Sequence, residues 1–223
     1  SINTNIQTDS NGNNYIAWDV SKVNNMEFMF YKASGFNQPL SNWNTSNVLD
    51  MTRMFESSSS NRSIFNQNLS QNEVQLQDSN GNDYGLSYTA WDVSNVTQMD
   101  EMFKECRNFN NGSVDDNGDP SSEDQNPLIW NPANVTTMKQ MFNNCSIFNS
   151  EMKSEWTRDN NDNLIITTWD VSKVTNMVSM FTSCSAFNQE SIRTWNIKPL
   201  FDDSSNNANY MFSGTALLNN GIV

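Results

Sequence analysis

The 223-residue chain contains no histidine, and its 12 basic residues stand against 25 acidic ones. It has no apolar run near the ~20 residues of a membrane-spanning helix. Each shortage excludes something. Without His, Ser-His and Cys-His nucleophilic machinery has no base. A net charge of −13, with Lys and Arg scattered, offers no cationic surface for nucleic-acid phosphates. An anionic membrane face is disfavoured for the same reason. The 8 glycines form no phosphate-binding loop. Cysteine is scarce and odd in number, at Cys106, Cys145 and Cys184, so a disulfide framework is not expected. Initiator Met and leader are absent from the sequence, which reads as a mature or excised segment. The 25 acidic residues leave open a carboxylate pair for glycoside hydrolysis, but no motif points to an enzyme.

What the chain does have is a repeated motif. A Trp is followed by Val five residues on, Met at eight and eleven, and Phe at twelve. The copies start at Trp18, Trp43, Trp91, Trp130 and Trp169, and a degenerate one at Trp195. Fixed internal self-similarity marks a repeat array, in which each unit buries its face against its neighbours. Residues 1–223 are therefore expected to form a single solenoid domain, with residues 1–17 as an N-terminal capping hairpin. Within a unit, Val23, Met26, Met29, Phe30 and Ala33 step by three and four, which predicts one face of a short helix. Ser21, Ser46, Ser94 and Ser172 sit where an N-cap would. After this segment come Phe36-Asn37, Phe65-Asn66, Phe109-Asn110, Phe148-Asn149 and Phe187-Asn188, with Asn suited to a turn. The predicted fold class is α/β: a leucine-rich-repeat-like solenoid of about six strand-turn-helix units with β-hairpin inserts on one edge. The three cysteines each follow a motif Phe by three residues, and are expected to be buried, reduced and aligned.

Length varies mainly between Phe-Asn and the next Trp, which places inserts at residues 67–89, 111–127 and 150–167 on one edge. Two of these, and residues 2–18, read as hairpins around Asn- and Asp-rich turns. The insert at 111–127 is acidic and Gly/Ser-rich, and is expected to be a mobile loop. Its Asp115, Asn117 and Asp119 offer alternating oxygen ligands, a weak calcium candidate that lacks the Gly and Glu positions of an EF-hand. Calcium is the one cofactor the pattern allows. Trp156, Tyr84 and Tyr88 on the hairpins are the candidate binding residues. Glycosylation sequons occur at several asparagines, with Asn61 and Asn111 expected to be the accessible ones.

The segment Trp91-Asp-Val-Ser-Asn-Val-Thr-Gln-Met-Asp-Glu-Met-Phe103, and Phe36-Asn-Gln-Pro-Leu-Ser-Asn-Trp-Asn-Thr-Ser-Asn-Val48, resemble a bacterial surface-protein repeat of about 26 residues. This is the BspA-like, leucine-rich-repeat-related group of mycoplasma and Gram-positive surface lipoproteins, also found in protists and large DNA viruses. The resemblance implies display at a cell surface or virion surface, and adhesion or recognition of a protein or glycan. It supplies no catalytic residue. The competing expectation is a structural subunit of an extracellular or virion assembly, whose partners are copies of itself.

Overall fold

The repeat folds not into helices but into overlapping turns. In the computed structural model, Met102 N–H donates to the Met99 carbonyl, Lys104 to Glu101, Cys106 to Phe103 and Phe109 to Cys106, each spanning three residues. The alternating amides take a different direction. Met99, Glu101, Phe103 and Glu105 donate to the carbonyls of Thr137, Lys139, Met141 and Asn143 in the next copy, at 3.1, 2.8, 2.9 and 2.8 Å. Backbone groups are thus satisfied alternately within a turn and along the stack, as buried amides require. The residues described are 6–8, 14–16, 18–60, 62–77, 82–122, 126–158, 164–201 and 207–216.

The expected strand-turn-helix unit is overturned. Among the described residues, the helical elements are two short 3₁₀ segments, Glu190–Thr194 and Lys198–Phe201. The strands form three separate antiparallel hairpins rather than a parallel sheet: β1 (Ile6–Thr8) with β2 (Asn14–Ile16), β3 (Asn72–Gln77) with β4 (Asp83–Ala90), and β5 (Glu155–Arg158) with β6 (Leu164–Thr168). The parallel pairing down the array is one residue wide per coil, running Asn25, Asp50, Gln98, Thr137, Asn176. The physical reason is that three-residue turn spacing and helical spacing both place apolar residues at i and i+3. Ser21, Ser94 and Ser172 are not N-caps. Their N–H groups donate to the Oδ1 of Asp19, Asp92 and Asp170, in local Asx turns.

The turn ribbon needs left-handed backbone, and it is taken by residues that rarely adopt it. Phe28, Arg53, Glu101, Gln140, Ser179 and Tyr210 occupy one equivalent position and all have φ between 54° and 58°. Such a conformation costs a non-glycine residue roughly 1–2 kcal/mol. It persists because the bonds between coils over-determine it.

Side chains stack into ladders. Consecutive motif Trp rings from Trp18 to Trp195 lie 6.3, 6.5, 6.1, 6.1 and 5.5 Å apart. Phe30, Phe55, Phe103, Phe142, Phe181 and Phe212 stack at 5.3–5.7 Å. Phe36, Phe65, Phe109, Phe148 and Phe187 form a third column at 5.9–6.0 Å. The interior Val, Met, Trp and Phe rungs are fully buried. An asparagine ladder runs beside them. Oδ1 of Asn37, Asn66, Asn110 and Asn149 accepts the N–H of Asn66, Asn110, Asn149 and Asn188 in turn, at 2.7–2.9 Å. The sequence read these residues only as turn formers.

Candidate binding surface at the tryptophan corner

Four coils approach their Trp through a buried Leu or Met: Leu40, Leu69, Leu128 or Met152. The indole Nε1 of the Trp in the following coil donates to the carbonyl of that residue. The pairs are Trp91 to Leu40, Trp130 to Leu69, Trp169 to Leu128 and Trp195 to Met152. Hairpins β3–β4 and β5–β6 are inserted between this Leu or Met and the Trp, and β1–β2 runs directly into Trp18. The Trp that closes each hairpin, Trp18, Trp91 or Trp169, has a positive φ of 60°, 50° or 44°. The insert at 111–127 leaves one rung earlier, between Asn110 and Leu128. The expected common edge therefore resolves into two adjacent exit points.

Both cavities described lie at this corner. The larger, about 340 Å³, runs between the first two Trp rungs and the β3–β4 hairpin, and is lined chiefly by Trp18, Val20, Trp43, Leu76, Leu86 and Tyr88. Trp18 and Leu86 are 56% and 61% exposed. Asp19, Asn42, Asn44 and Ser87 add polar groups at the same groove. Tyr88 is a sequence-predicted site residue that the fold does bring here. Its hydroxyl donates to the Asn42 carbonyl, and its pairing with Val74 sets both against the core. The side chains of Tyr84 and Trp156 lie outside the described residues. Trp43 Nε1 is buried without an acceptor among the described residues. Sequence reasoning missed Trp18 as a site residue because its motif is identical to the buried copies. The signal was its position at the first rung. A smaller cavity of about 150 Å³ lies where Ile129, Glu151 and Lys153 meet Trp169 and β5–β6.

The family described as "Mycoplasma protein of unknown function, DUF285" matches residues 2–114, 79–164 and 152–223. The chain belongs to this family. The match recurs three times along the chain, as expected for a repeat protein. No curated protein and no solved structure matches it.

Elsewhere in this DUF285 chain, three further groupings carry chemistry. The first is the base and tip of the 111–127 insert. Asn111 Oδ1 accepts Leu69 N–H at 2.8 Å, and its Nδ2 donates to Pro127 O and Ser70 Oγ. Asn111 is fully buried, which corrects its reading as an accessible sequon. Asn61 lies outside the described residues. Asp115 Oδ1 accepts the N–H groups of Asn117 and Asp119 at 2.9 and 3.0 Å, and these bonds hold its carboxyl below the usual range. That is the geometry of a tight turn. Among the described residues, no three Cys, Asp or Glu gather as a metal-binding group.

The second grouping is an ion cluster across coils. Glu101 bonds Lys104 Nζ at 2.7 Å and Arg53 at 3.1 Å. Glu56 approaches Arg53 Nε at 3.3 Å and Lys104 at 4.0 Å. Glu56 Oε2 makes no hydrogen bond there, so the Arg53 contact is an ion pair without good donor geometry. Burial, then the neighbouring Glu101 charge, raises the Glu56 carboxyl. Burial also pushes Glu101 up, but its bonds to Lys104 and Arg53 outweigh this and the net shift is downward. The cluster ties coils together and resembles no catalytic pair.

The third is the thiol column. Cys106, Cys145 and Cys184 are free and fully buried. Each Sγ donates to the carbonyl of a motif Phe one coil back: Phe55, Phe103 or Phe142, at 2.9, 3.0 and 2.8 Å. Burial raises all three thiols, and for Cys145 the flanking Cys184 and Cys106 add to it. Thiols held protonated are poor nucleophiles and poor metal ligands.

Proposed function

We propose that the chain is a non-enzymatic recognition module of the adhesion type, displayed at a cell or virion surface as in BspA-like repeat proteins. In this reading it grips a protein or glycan at the tryptophan corner. The observation that carries this reading is the coincidence of three features at one corner. The hairpins, the two cavities and the exposed apolar groups Trp18 and Leu86 all fall there. Functional groups commonly sit on irregular segments held by a rigid scaffold, and these ladders are such a scaffold. The groove combines aromatic walls with amide and carboxylate groups, the composition of a ligand site. The acidic charge turns the site away from polyanions.

The test uses the labelled chain on cultured epithelial cells, before and after treating the cells with glycosidases or with a protease. Loss of binding on one treatment identifies the ligand class. Replacing residues 70–90 by Ser-Asn, the connector between Leu40 and Trp43, should abolish binding while preserving the fold. Leu86→Asp should weaken it at least tenfold. Undiminished binding by both variants would remove the corner from the reading.

A further inference from the structure

The two ends of the stack are complementary to each other. In every interior joint, four amides of one coil donate to four carbonyls of the next. In the last joint described, Met177, Ser179, Phe181 and Ser183 donate to Asn207, Asn209, Met211 and Ser213. The next set of donors in this register is the N–H groups of Ala208, Tyr210, Phe212 and Gly214. None of these makes a hydrogen bond to a described residue. At the other end, the corresponding acceptors are the carbonyls of Asn25, Glu27, Met29 and Tyr31, and these also accept no bond among the described residues. Among the described residues, one end presents four donors at the spacing at which the other presents four acceptors. Exposed rows of this kind invite pairing with another chain unless they are covered.

Side chains point to the same partner. The left-handed column reads Phe28, Arg53, Glu101, Gln140, Ser179, Tyr210. Its interior members are polar, and Arg53 meets both of its column neighbours. Arg53 lies 5.6 Å over the Phe28 ring and 3.1 Å from Glu101. Only the two end members are aromatic, and they are 42% and 72% exposed. Beside them Met29 is 38% exposed, although its equivalents in the next four coils, Met54, Met102, Met141 and Met180, are fully buried. One further coil-to-coil step would set Tyr210 of one copy against Phe28 of another, and would continue the Phe30–Phe212 ring column. Trp195 and Phe187 are already buried, so the joint is confined to the turn ribbon.

We propose that the chain associates head to tail with further copies of itself, the ribbon at residues 207–215 of one copy pairing with the ribbon at 25–32 of the next. Such an interface is heterologous, so it extends rather than closes unless the rotation forms a ring. The joint does not require the groove at the tryptophan corner, whose test reads cell binding and not self-association.

The experiment is light scattering with size-exclusion chromatography on the full chain, across a hundredfold range of concentration. The mass should rise with concentration. Phe28→Glu and Tyr210→Glu each place an acid at an exposed end of a column that already accepts Glu101, so both variants should fold. Unchanged circular dichroism checks this, and Phe28→Gln with Tyr210→Ser, residues the column itself uses, form a second pair. Each variant alone should be a monomer. An equimolar mixture of the two retains one intact joint and should give twice the monomer mass and nothing larger. A wild-type chain that stays monomeric throughout, or a mixture that stays monomeric, overturns the proposal.

Discussion

The first coil and the third carry the same motif and end in different states. Trp91, Met102, Phe103 and Phe109 are fully buried, whereas Trp18 is 56% exposed, Met29 38%, and Phe30 and Phe36 only partly covered. The residue types, spacing and turn geometry match. What differs is the number of neighbouring coils among the described residues. Burial here is a property of the joint, so stability should scale with the joints a residue serves, as in other stacked arrays.

Truncating the same ring in the two places should give the largest contrast. Phe103→Ala removes a ring stacked between Phe55 and Phe142 and should cost about 3–5 kcal/mol. Phe30→Ala, stacked on Phe55 alone in its column, should cost about half as much. Urea denaturation of the two variants would measure the ratio, and equal losses would break the comparison.

Alkali should act on the three coils that carry the thiols and spare the first two, which have Ala33 and Ser58 at that place. Burial raises each thiol above its ordinary value of 9.0. The folded state therefore holds its protons after the unfolded chain has begun to lose them. The stability from the protonated thiols is complete below that value and falls as pH rises through it. One unit higher, three thiols give a loss of roughly 4 kcal/mol. Thermal melts from pH 7 to 10 should show this decline, and the triple Cys→Ala variant should flatten it.

Asn110→Ala removes the acceptor for Asn149 N–H and Ser150 Oγ and the donor to Ser121 O. It leaves buried groups unsatisfied and should cost about 2–3 kcal/mol. Asn37→Ala, at a half-exposed rung that serves Asn66 and Gln67, should cost about 1 kcal/mol. Hydrogen exchange at the Asn149 and Asn66 amides would resolve the two. The smallest effect belongs to the ion cluster. Lys104→Met deprives Glu101 and Glu56 of a partner that is itself a quarter exposed, and should cost about 1 kcal/mol, reduced further by salt.

The ladders were legible because a stacked position must repeat its residue in every coil, so Trp, Met and Phe recur at fixed register. The conformation between them was not. Val96, Met99, Met102, Cys106 and Phe109 step by three and four whether the backbone is helical or a run of turns. The marker that would have separated the two is a glycine at each left-handed position. Here those positions hold Phe28, Arg53, Glu101 and Gln140, which carry no such signal. The asparagine column was visible as a column, but its Oδ1 atoms reach the next coil rather than their own turn. Of the candidate site, Tyr88 was legible as an aromatic on a hairpin. Trp18 was not, since only the absence of a coil before it among the described residues exposes its ring.

The hairpins occur before Trp18, Trp91 and Trp169 and are missing before Trp43, Trp130 and Trp195, so they fall on every second coil. A rung here is 5.5–6.5 Å thick at the Trp column. A hairpin needs about 10 Å along the stack, whether its two strands lie side by side at about 4.8 Å each or its face packs against the next hairpin. One coil cannot house it, but two can. The array therefore has a parity. Loss of a hairpin-free coil, or gain of a hairpin-bearing one, would force two hairpins onto adjacent rungs, while gain or loss of a pair leaves every hairpin its space. Arrays built this way should not carry hairpins on neighbouring coils.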